Sequence, residues 1–434
     1  MPRILFATMP ITGHINPGLP IAKQLIKEGH EVGWYTGKKF KSTVEAAGCR
    51  FYPAAAFEKF DESEIDVCFP ERKHLAGIEQ LKYDLKRIFT DPIPDTVQEI
   101  IKLHKKTPID AIVVDSAFGA GPLVTEMGGP PCVAYGITVL PLSSEDVAPL
   151  GLGILPLAAC SHLNKLRNKL LYWMSERVIF KDVIKRRNDV RAKLGLSSSE
   201  MGLFDGVVRG SKLYLQGTIP EFEYQRTDLP DSIRFIGPLL PSSEKRAKKP
   251  TWWQEMVDAD KPVVHISQGT IATNPDEMII PALYALADQN VFVVVSSTTL
   301  QSRRFNLPSN VRVADHLPYD ELMEHVDVFV TNGGYGGVHF ALSKGVPIVV
   351  AGATEDKPEV ANRVEWSGAG INLHTNKPTS EQIRLAVRRV LKNPRFKRKA
   401  MALAESMNEH DAPKEAATFI EQVAKTKAAR YSYV

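Results

Sequence analysis

At 434 residues, with 44% apolar and 24% charged side chains, the chain has the makeup of an ordinary soluble protein of two or three domains rather than one core. A net charge of +4 is small for this length and argues against a dedicated nucleic-acid binder. Four cysteines (Cys49, Cys68, Cys132 and Cys160) lie far apart without a CxxC pair, which fits reduced thiols better than a disulfide frame or a zinc site.

The first apolar run, RILFAT, ends at Pro10 without a cleavage pattern, so it does not read as a signal peptide. No run reaches the length that spans a bilayer, and a cytoplasmic location is expected. Residues 3–8 read as a buried strand, followed by the turn-rich loop MPITGHINPGLP and a helix with Pro20 in its first turn and Ile21, Leu25 and Ile26 on one face. HEVGWYT is a second strand, FKSTVEAAG a helix and CRFYPAA a third strand. This alternation predicts a parallel sheet covered on both sides, a Rossmann-like domain. Residues 58–108 are less regular, apart from a helix at 95–105. Strand DAIVVD follows, then SAFGAGP leading into a helix, then PPCVAYG. Residues 161–194 form a long amphipathic helical stretch with Lys165, Arg167, Lys169, Arg177, Lys181, Lys185, Arg186 and Arg187. It reads either as a solvated face or as a surface for anionic lipid. Glu176, Asp182 and Asp189 interrupt it and favour the solvated face.

Residues 238–250, PLLPSSEKRAKKP, are proline-rich, charged and without periodicity, as a linker would be. The expected organisation is an N-terminal domain over 1–237, that linker, a C-terminal domain over 251–412 and a terminal helix over 413–434 that packs back on the N-terminal domain. After the linker the alternation restarts with PVVHISQ, a helix over PDEMIIPALYALAD, NVFVVVSS, VRVADHLP and YDELMEHV. The densest signal comes next. Strand DVFVTN leads into four glycines in five residues, Gly333, Gly334, Gly336 and Gly337, then a helix carrying Val338, Ala341 and Leu342, then PIVVAG and Glu355, Asp356 and Lys357. Strand, glycine turn, helix, strand is a βαβ unit, and glycines at a helix start let a backbone approach an oxyanion. The stretch reads as a diphosphate cradle; a plain tight turn is the alternative. Two α/β halves on one linker predict a cleft, with ligands outside the carboxyl ends of the strands.

Several side chains fall at such strand ends. His14, in the loop after the first strand and near a helix start, suits a general base, or else a loop histidine bonded to the backbone. Asp115 ends another strand of the same half and can orient an imidazole; capping the next helix is the competing role. Ser267, Gln268, Gly269 and Thr270 close the first strand of the second half and suit a further phosphate contact. Asp258 and Asp260 form a DxD without a third carboxylate and read as surface charge. Neither GxxxxGK[ST] nor HExxH occurs, and the glycine run is not a clean GxGxxG, since His339 stands at the third position.

GHINPGLPIAKQLIKEGHEV and TNGGYGGVHFALSKGVPIVVAGATEDKP, set in two Rossmann-like halves, resemble the UDP-glycosyltransferase superfamily, in particular its bacterial macrolide- and antibiotic-type branch, over nearly the whole chain. The resemblance implies a GT-B α/β fold, two Rossmann-like domains facing across a cleft. It implies transfer of a sugar, first of all glucose from UDP, to a hydroxyl of a small hydrophobic acceptor such as a polyketide, macrolide or flavonoid. Inversion at the anomeric carbon is expected, with no metal and no cofactor beyond the nucleotide-sugar co-substrate. It places the catalytic histidine at His14 and its aspartate at Asp115. Donor contacts fall on Gly13, Ser267, Gly269, Thr270, His316, Leu317, Asn332, Gly333, Gly334, Tyr335, Gly336, Gly337, Glu355, Asp356 and Lys357, with the base stacked on His316 and the sugar held by Asp356 and Lys357. Departures stand at Asn332, where the family has histidine, at His316 for tryptophan, at Phe340 for the glutamate that takes the ribose hydroxyls, and at Lys357 for glutamine. Loss of the ribose contact leaves a dTDP-sugar open beside UDP.

The acceptor is expected in the N-terminal half. Ile15, Phe57, Phe60, Phe69, Leu140 and Leu142, with Leu75, Leu150 and Leu152, are candidates to line an apolar pocket; serving as ordinary core is their other reading. The expected partners are thus a nucleotide sugar and an apolar hydroxylated acceptor, with no nucleic acid, at most peripheral membrane contact, and a monomeric or dimeric state. Two rivals remain at this point: a non-catalytic helper subunit of transferase-like fold, and a nucleotide-sugar epimerase.

Overall fold

The computed structural model describes all residues except 157–161, 241–247, 270–273, 299, 301–305 and 432–434. Most of the expected linker and Cys160 lie outside the described residues. The chain divides into two compact units. Unit 1 comprises Met1–Thr218, Tyr224–Pro241 and His410–Val434; unit 2 comprises Ile219–Glu223 and Ser242–Glu409.

Unit 1 is built on a seven-stranded parallel sheet with strands β1 (Arg3–Ala7), β2 (Glu31–Thr36), β3 (Arg50–Pro53), β4 (Ala111–Asp115), β5 (Cys132–Gly136), β6 (Leu213–Gln216) and β7 (Ile233–Phe235). Their spatial order is β3-β2-β1-β4-β5-β6-β7. The strands are apolar on both faces because helices cover both faces. In β1, Ile4 and Phe6 join one buried cluster and Leu5 and Ala7 the other. In β4, Ile112 and Val114 face one way and Val113 the other, the two-residue alternation of a strand. Among the helices, α1 (Thr12–Ile15) and α2 (Gly18–Lys27) follow β1, α3 (Ala120–Glu126) follows β4, and α4 (His162–Met174) and α5 (Lys181–Lys193) follow β5.

The helix Ala412–Tyr431 lays Ala412, Ala416, Ala417 and Ile420 on the cluster that holds Ile21, Leu25, Trp34 and Tyr135. Alanines there let it sit close to α2. The segment at 62–90, irregular by sequence, forms successive short helical turns. Its Phe60–Phe69 border packs on the other cluster. The basic stretch at 161–194 is two helices, divided by a wider turn at Ser175–Ile179, rather than one.

Unit 2 holds a six-stranded parallel sheet of β8 (Val263–Ser267), β9 (Phe292–Ser296), β10 (Val311–Ala314), β11 (Val328–Thr331), β12 (Ile348–Val350) and β13 (Gly370–Asn372), in the order β10-β9-β8-β11-β12-β13. Here α6 (Ile279–Leu286) follows β8, α7 (Tyr335–Ser343) follows β11 and α8 (Lys357–Trp366) follows β12, before α9 (Ser380–Lys392) and α10 (Pro394–Asn408). The detour Ile219–Glu223 belongs to this unit. Phe222 meets His339 edge-on, with ring centroids 4.9 Å apart, and Glu223 pairs at 2.8 Å with the buried guanidinium of Arg363, which Glu359 also approaches. Removing one member of such a set would strand a buried charge.

Two histidines of unit 2 are buried in the neutral form. His265 Nδ1 donates to the Val294 carbonyl at 3.1 Å, and its Nε2 accepts from the Tyr319 hydroxyl at 3.0 Å. Burial lowers its pKa to about 4, and burial likewise lowers that of His339 to about 4. Both lie below the unfolded value of about 6.5. The unfolded chain therefore takes up protons first, and stability drains away as pH falls from about 6.5 toward 4, by the order of a few kcal/mol. Melting curves across that range should show a falling midpoint with a shallower slope in His265→Gln. A midpoint indifferent to pH would contradict the buried neutral assignment.

Candidate active site

Each sheet reverses its direction of strand addition once. In unit 1 the reversal lies between β1 and β4, and in unit 2 between β8 and β11. At such a point the adjoining connections leave to opposite faces, so a crevice opens at the strand carboxyl ends. His14 follows β1 and Asp115 ends β4, which makes them neighbours at the unit 1 reversal.

His14 Nδ1 lies 2.9 Å from Asp115 Oδ1. Facing an acceptor, Nδ1 is the nitrogen that carries the proton, so the neutral ring keeps its lone pair on Nε2. The Asp115 carboxylate is fully buried, and the N–H groups of Ala117 (2.8 Å) and Met9 (3.3 Å) also donate to it. Asp115 thus binds backbone and imidazole at once, but it is not the cap of α3, whose N-cap is Gly119. The His14 side chain keeps 14% of its surface, enough for a proton acceptor to be reached.

The residues around His14 form a helical turn, α1, where the sequence predicts a loop. The reason is remote. Ile11 offers no cap, and Glu62 from the irregular segment supplies one, accepting from the Thr12 N–H at 2.8 Å and from the Thr12 hydroxyl. The Tyr135 hydroxyl donates to the His14 carbonyl at 2.9 Å, and the Phe89 ring lies near-parallel to the imidazole, centroids 6.3 Å apart. Sequence reading missed Glu62, Phe89 and Tyr135. None carries a local signal, since each reaches the turn that holds His14 across 50 or more positions of chain. Gly13 has open space where a Cβ would point.

Beside this turn, Met9, Phe57, Phe89, Ile93 and Phe118 line a small crevice of about 10 Å³, room for one water-sized group. Phe57 therefore touches a cavity while also belonging to the core, and Phe60 and Phe69 are half-buried, rings 6.3 Å apart. Three other acceptor candidates take the place of ordinary core. Ile15, Leu140 and Leu142 are buried side chains of the two clusters. Apolar residues at strand ends fill the sheet's own core first, and their hydrophobicity alone does not separate the two roles.

Donor candidates from β8, β11 and β12 gather at the unit 2 reversal, while His316 and Leu317 follow the edge strand β10 and Gly13 lies in unit 1. Asn332 follows β11, and its side-chain amide donates to the Gln268 carbonyl beyond β8 at 2.5 Å. One of its two amide hydrogens is thereby committed to tying the strand ends together rather than offered outward. A Cβ on Gly269 would lie 3.6 Å from the Asn332 side chain, and one on Gly352 would lie 2.0 Å from the Asn332 carbonyl. The ends of β8, β11 and β12 therefore meet, and they bring Ser267, Gly269, the glycine turn and Lys357 together. Thr270 lies outside the described residues.

Within the turn the glycines divide by cause. Gly333 has φ +88°, and a Cβ there would meet Val350 at 2.8 Å, so the fold itself requires it. Gly334 and Gly336 have ordinary dihedrals and nothing within 4 Å of a Cβ position, so packing does not demand them. They leave bare backbone at the start of α7, where first-turn N–H groups lack intrahelical acceptors. The side chains of Tyr335 and Leu317 are buried, and the Tyr335 ring lies tilted on His339 with centroids 4.1 Å apart. His316 is exposed on the turn after β10. Glu355 adopts φ +57°, rare for a non-glycine residue, and pairs with Lys357, while Asp356 is the N-cap residue of α8. Asp258 ends a short helix and accepts from Gln254. Among the described residues no group of three or more His, Cys, Asp or Glu is placed to hold a metal.

Two Rossmann-like units, each with a site at its topological reversal, define the GT-B class of α/β fold. The C-terminal domain of erythromycin biosynthesis protein CIII-like proteins matches residues 280–423. The chain is 41% identical to 4'-demethylrebeccamycin synthase of Lentzea aerocolonigenes over 96% of this chain and 99% of that one. It is 35% identical to UDP-glycosyltransferase 2 of Phaeomoniella chlamydospora, with 98% and 96% covered. The crystal structure of the kitacinnamycin glycosyltransferase superposes with TM-score 0.74 at 19% identity, covering 98% of this chain and all of that one. The chain belongs to the UDP-glycosyltransferase superfamily, in its bacterial antibiotic-type branch, and is a glycosyltransferase.

Two substitutions separate fold from site. Gly333→Ala should destabilise by roughly 1–3 kcal/mol, because it imposes a left-handed backbone and a clash. Gly336→Ala should leave stability within about 1 kcal/mol while weakening nucleotide binding. Equal melting losses would contradict the division. Glu62→Ala should cost about 1 kcal/mol, as loss of a cap does.

Proposed function

We propose that the chain transfers a sugar from a nucleoside diphosphate donor to a hydroxyl of a small apolar acceptor, with inversion and without a metal. UDP-glucose is the first donor to test. The observation that carries the reading is the 2.9 Å contact of His14 with the buried Asp115 at a strand reversal. In this reading Nε2 of His14 takes the acceptor proton as the acceptor oxygen bonds to the anomeric carbon. The bond from that carbon to the diphosphate oxygen breaks on the opposite face. Asp115 holds the ring in its tautomer and stabilises the imidazolium. Backbone N–H groups at the start of α7 take up the charge that grows on the departing diphosphate, the work a metal does elsewhere.

The acceptor class is supported by the aromatic lining beside His14 and by a relative named for the synthesis of 4'-demethylrebeccamycin. The name UDP-glycosyltransferase 2 supports UDP. One observation favours a second donor. Phe340, at the position where the family's glutamate reads the ribose, is buried and edge-on to Tyr319 with centroids 5.7 Å apart, and it offers no oxygen to a 2'-hydroxyl. A dTDP-sugar is then accepted beside UDP.

His14→Ala should lower turnover by roughly two to four orders of magnitude with little change in donor binding. Near-wild-type turnover would end the base assignment. Thermal-shift titrations with UDP and dTDP should both raise the melting midpoint, as ligands of the folded state do. A response to neither would remove the donor reading.

A further inference from the structure

α4 is amphipathic in the inverse sense. Its buried side is polar: Asn164 donates to the Asp146 carbonyl at 3.1 Å and Asn168 to the Glu145 carbonyl at 2.8 Å. Its large apolar side chains point outward. Leu163, Leu166, Leu170, Trp173 and Val178 are 76%, 66%, 59%, 58% and 62% exposed. Steps of three to five residues keep them on one side of α4 and the turn after it. A surface helix of a globular protein ordinarily turns this stripe to the core. An outward stripe of this size marks a docking surface.

Charge identifies what docks. The exposed positions continue as Arg177, Lys181 and Lys185, none of which forms an ion pair with a described residue. Lys169, also exposed, pairs with Glu145 at 3.2 Å. The nearby carboxylates are engaged elsewhere: Glu176 accepts from the Leu203 N–H and Asp182 pairs with Lys86, which leaves Asp189. A second copy of this face would bring three more cations and almost no free carboxylate to meet them. An anionic surface over an apolar layer satisfies both halves.

We propose that α4 and the start of α5 dock the protein on an anionic lipid bilayer, in the plane of the interface. α4 has 13 residues and is thus about 20 Å long, too short to cross. Among the described residues no helix is long and apolar enough to do so. Leucines and Trp173 enter the acyl boundary, and the cations lie against lipid phosphates.

The test is co-sedimentation of the full chain with phosphatidylcholine vesicles, with and without phosphatidylglycerol, at low and high salt. Binding should require phosphatidylglycerol and weaken with salt. Lys181→Gln and Lys185→Gln should each reduce partitioning about fivefold. Leu166→Ser combined with Leu170→Ser should reduce it about tenfold or more, with an unchanged melting midpoint because both sites are exposed. Equal binding to neutral vesicles, no binding at all, or variants that bind like the parent would overturn the proposal. So would a solution dimer that Leu170→Glu dissociates, which would assign the face to a second copy.

Discussion

A parallel sheet can bind a ligand at its edge only where its helices make room. Each crossover helix lies over the strands that it joins, so successive crossovers on one side shield the strand ends beneath them. Room appears where the chain returns to the middle of the sheet and begins adding strands the other way. Both sheets do this once, and the residues of interest collect there. The pairing of β1 with β4 sets Ala7 beside Val114, so that the next residues of one strand face Asp115 of the other. The 2.9 Å contact of His14 with Asp115 depends on that register.

The surroundings of His14 show how much support one contact needs. Asp115 is buried, and a lone buried carboxylate is costly. Two backbone N–H groups and the imidazole share it, so its burial is compensated by the groups it positions. The helical turn that carries His14 has no cap of its own and borrows Glu62. Unit 2 uses the reverse economy. Its turn is bare of side chains at Gly334 and Gly336, where nothing lies within 4 Å of a Cβ position.

The fold was largely legible because both sheets are buried on both faces and their strands are continuous apolar runs between turn residues. The missed strands, β6, β7 and β13, have three or four residues each and, unlike the equally short β11 and β12, do not flank the glycine turn that marks a βαβ unit. Glu223 explains a different miss. Its detour into unit 2 is only five residues, Ile219–Glu223, and its reason is Arg363, 140 positions away. The outward stripe of α4 was visible as periodicity, but a period does not say which side faces the core.

His14, Asp115, the glycine turn and Lys357 could be named from sequence because each ends or follows a strand, and strand ends are local features. The chain by itself therefore determined its class, the α/β alternation and the chemistry on offer at each carboxyl end. Tertiary structure decided which ends meet. Sheet pairing brings β1 to β4 and β8 to β11, and packing makes Phe57 both a core side chain and part of a crevice wall. Apolar character is the same in core and site, and only packing tells them apart.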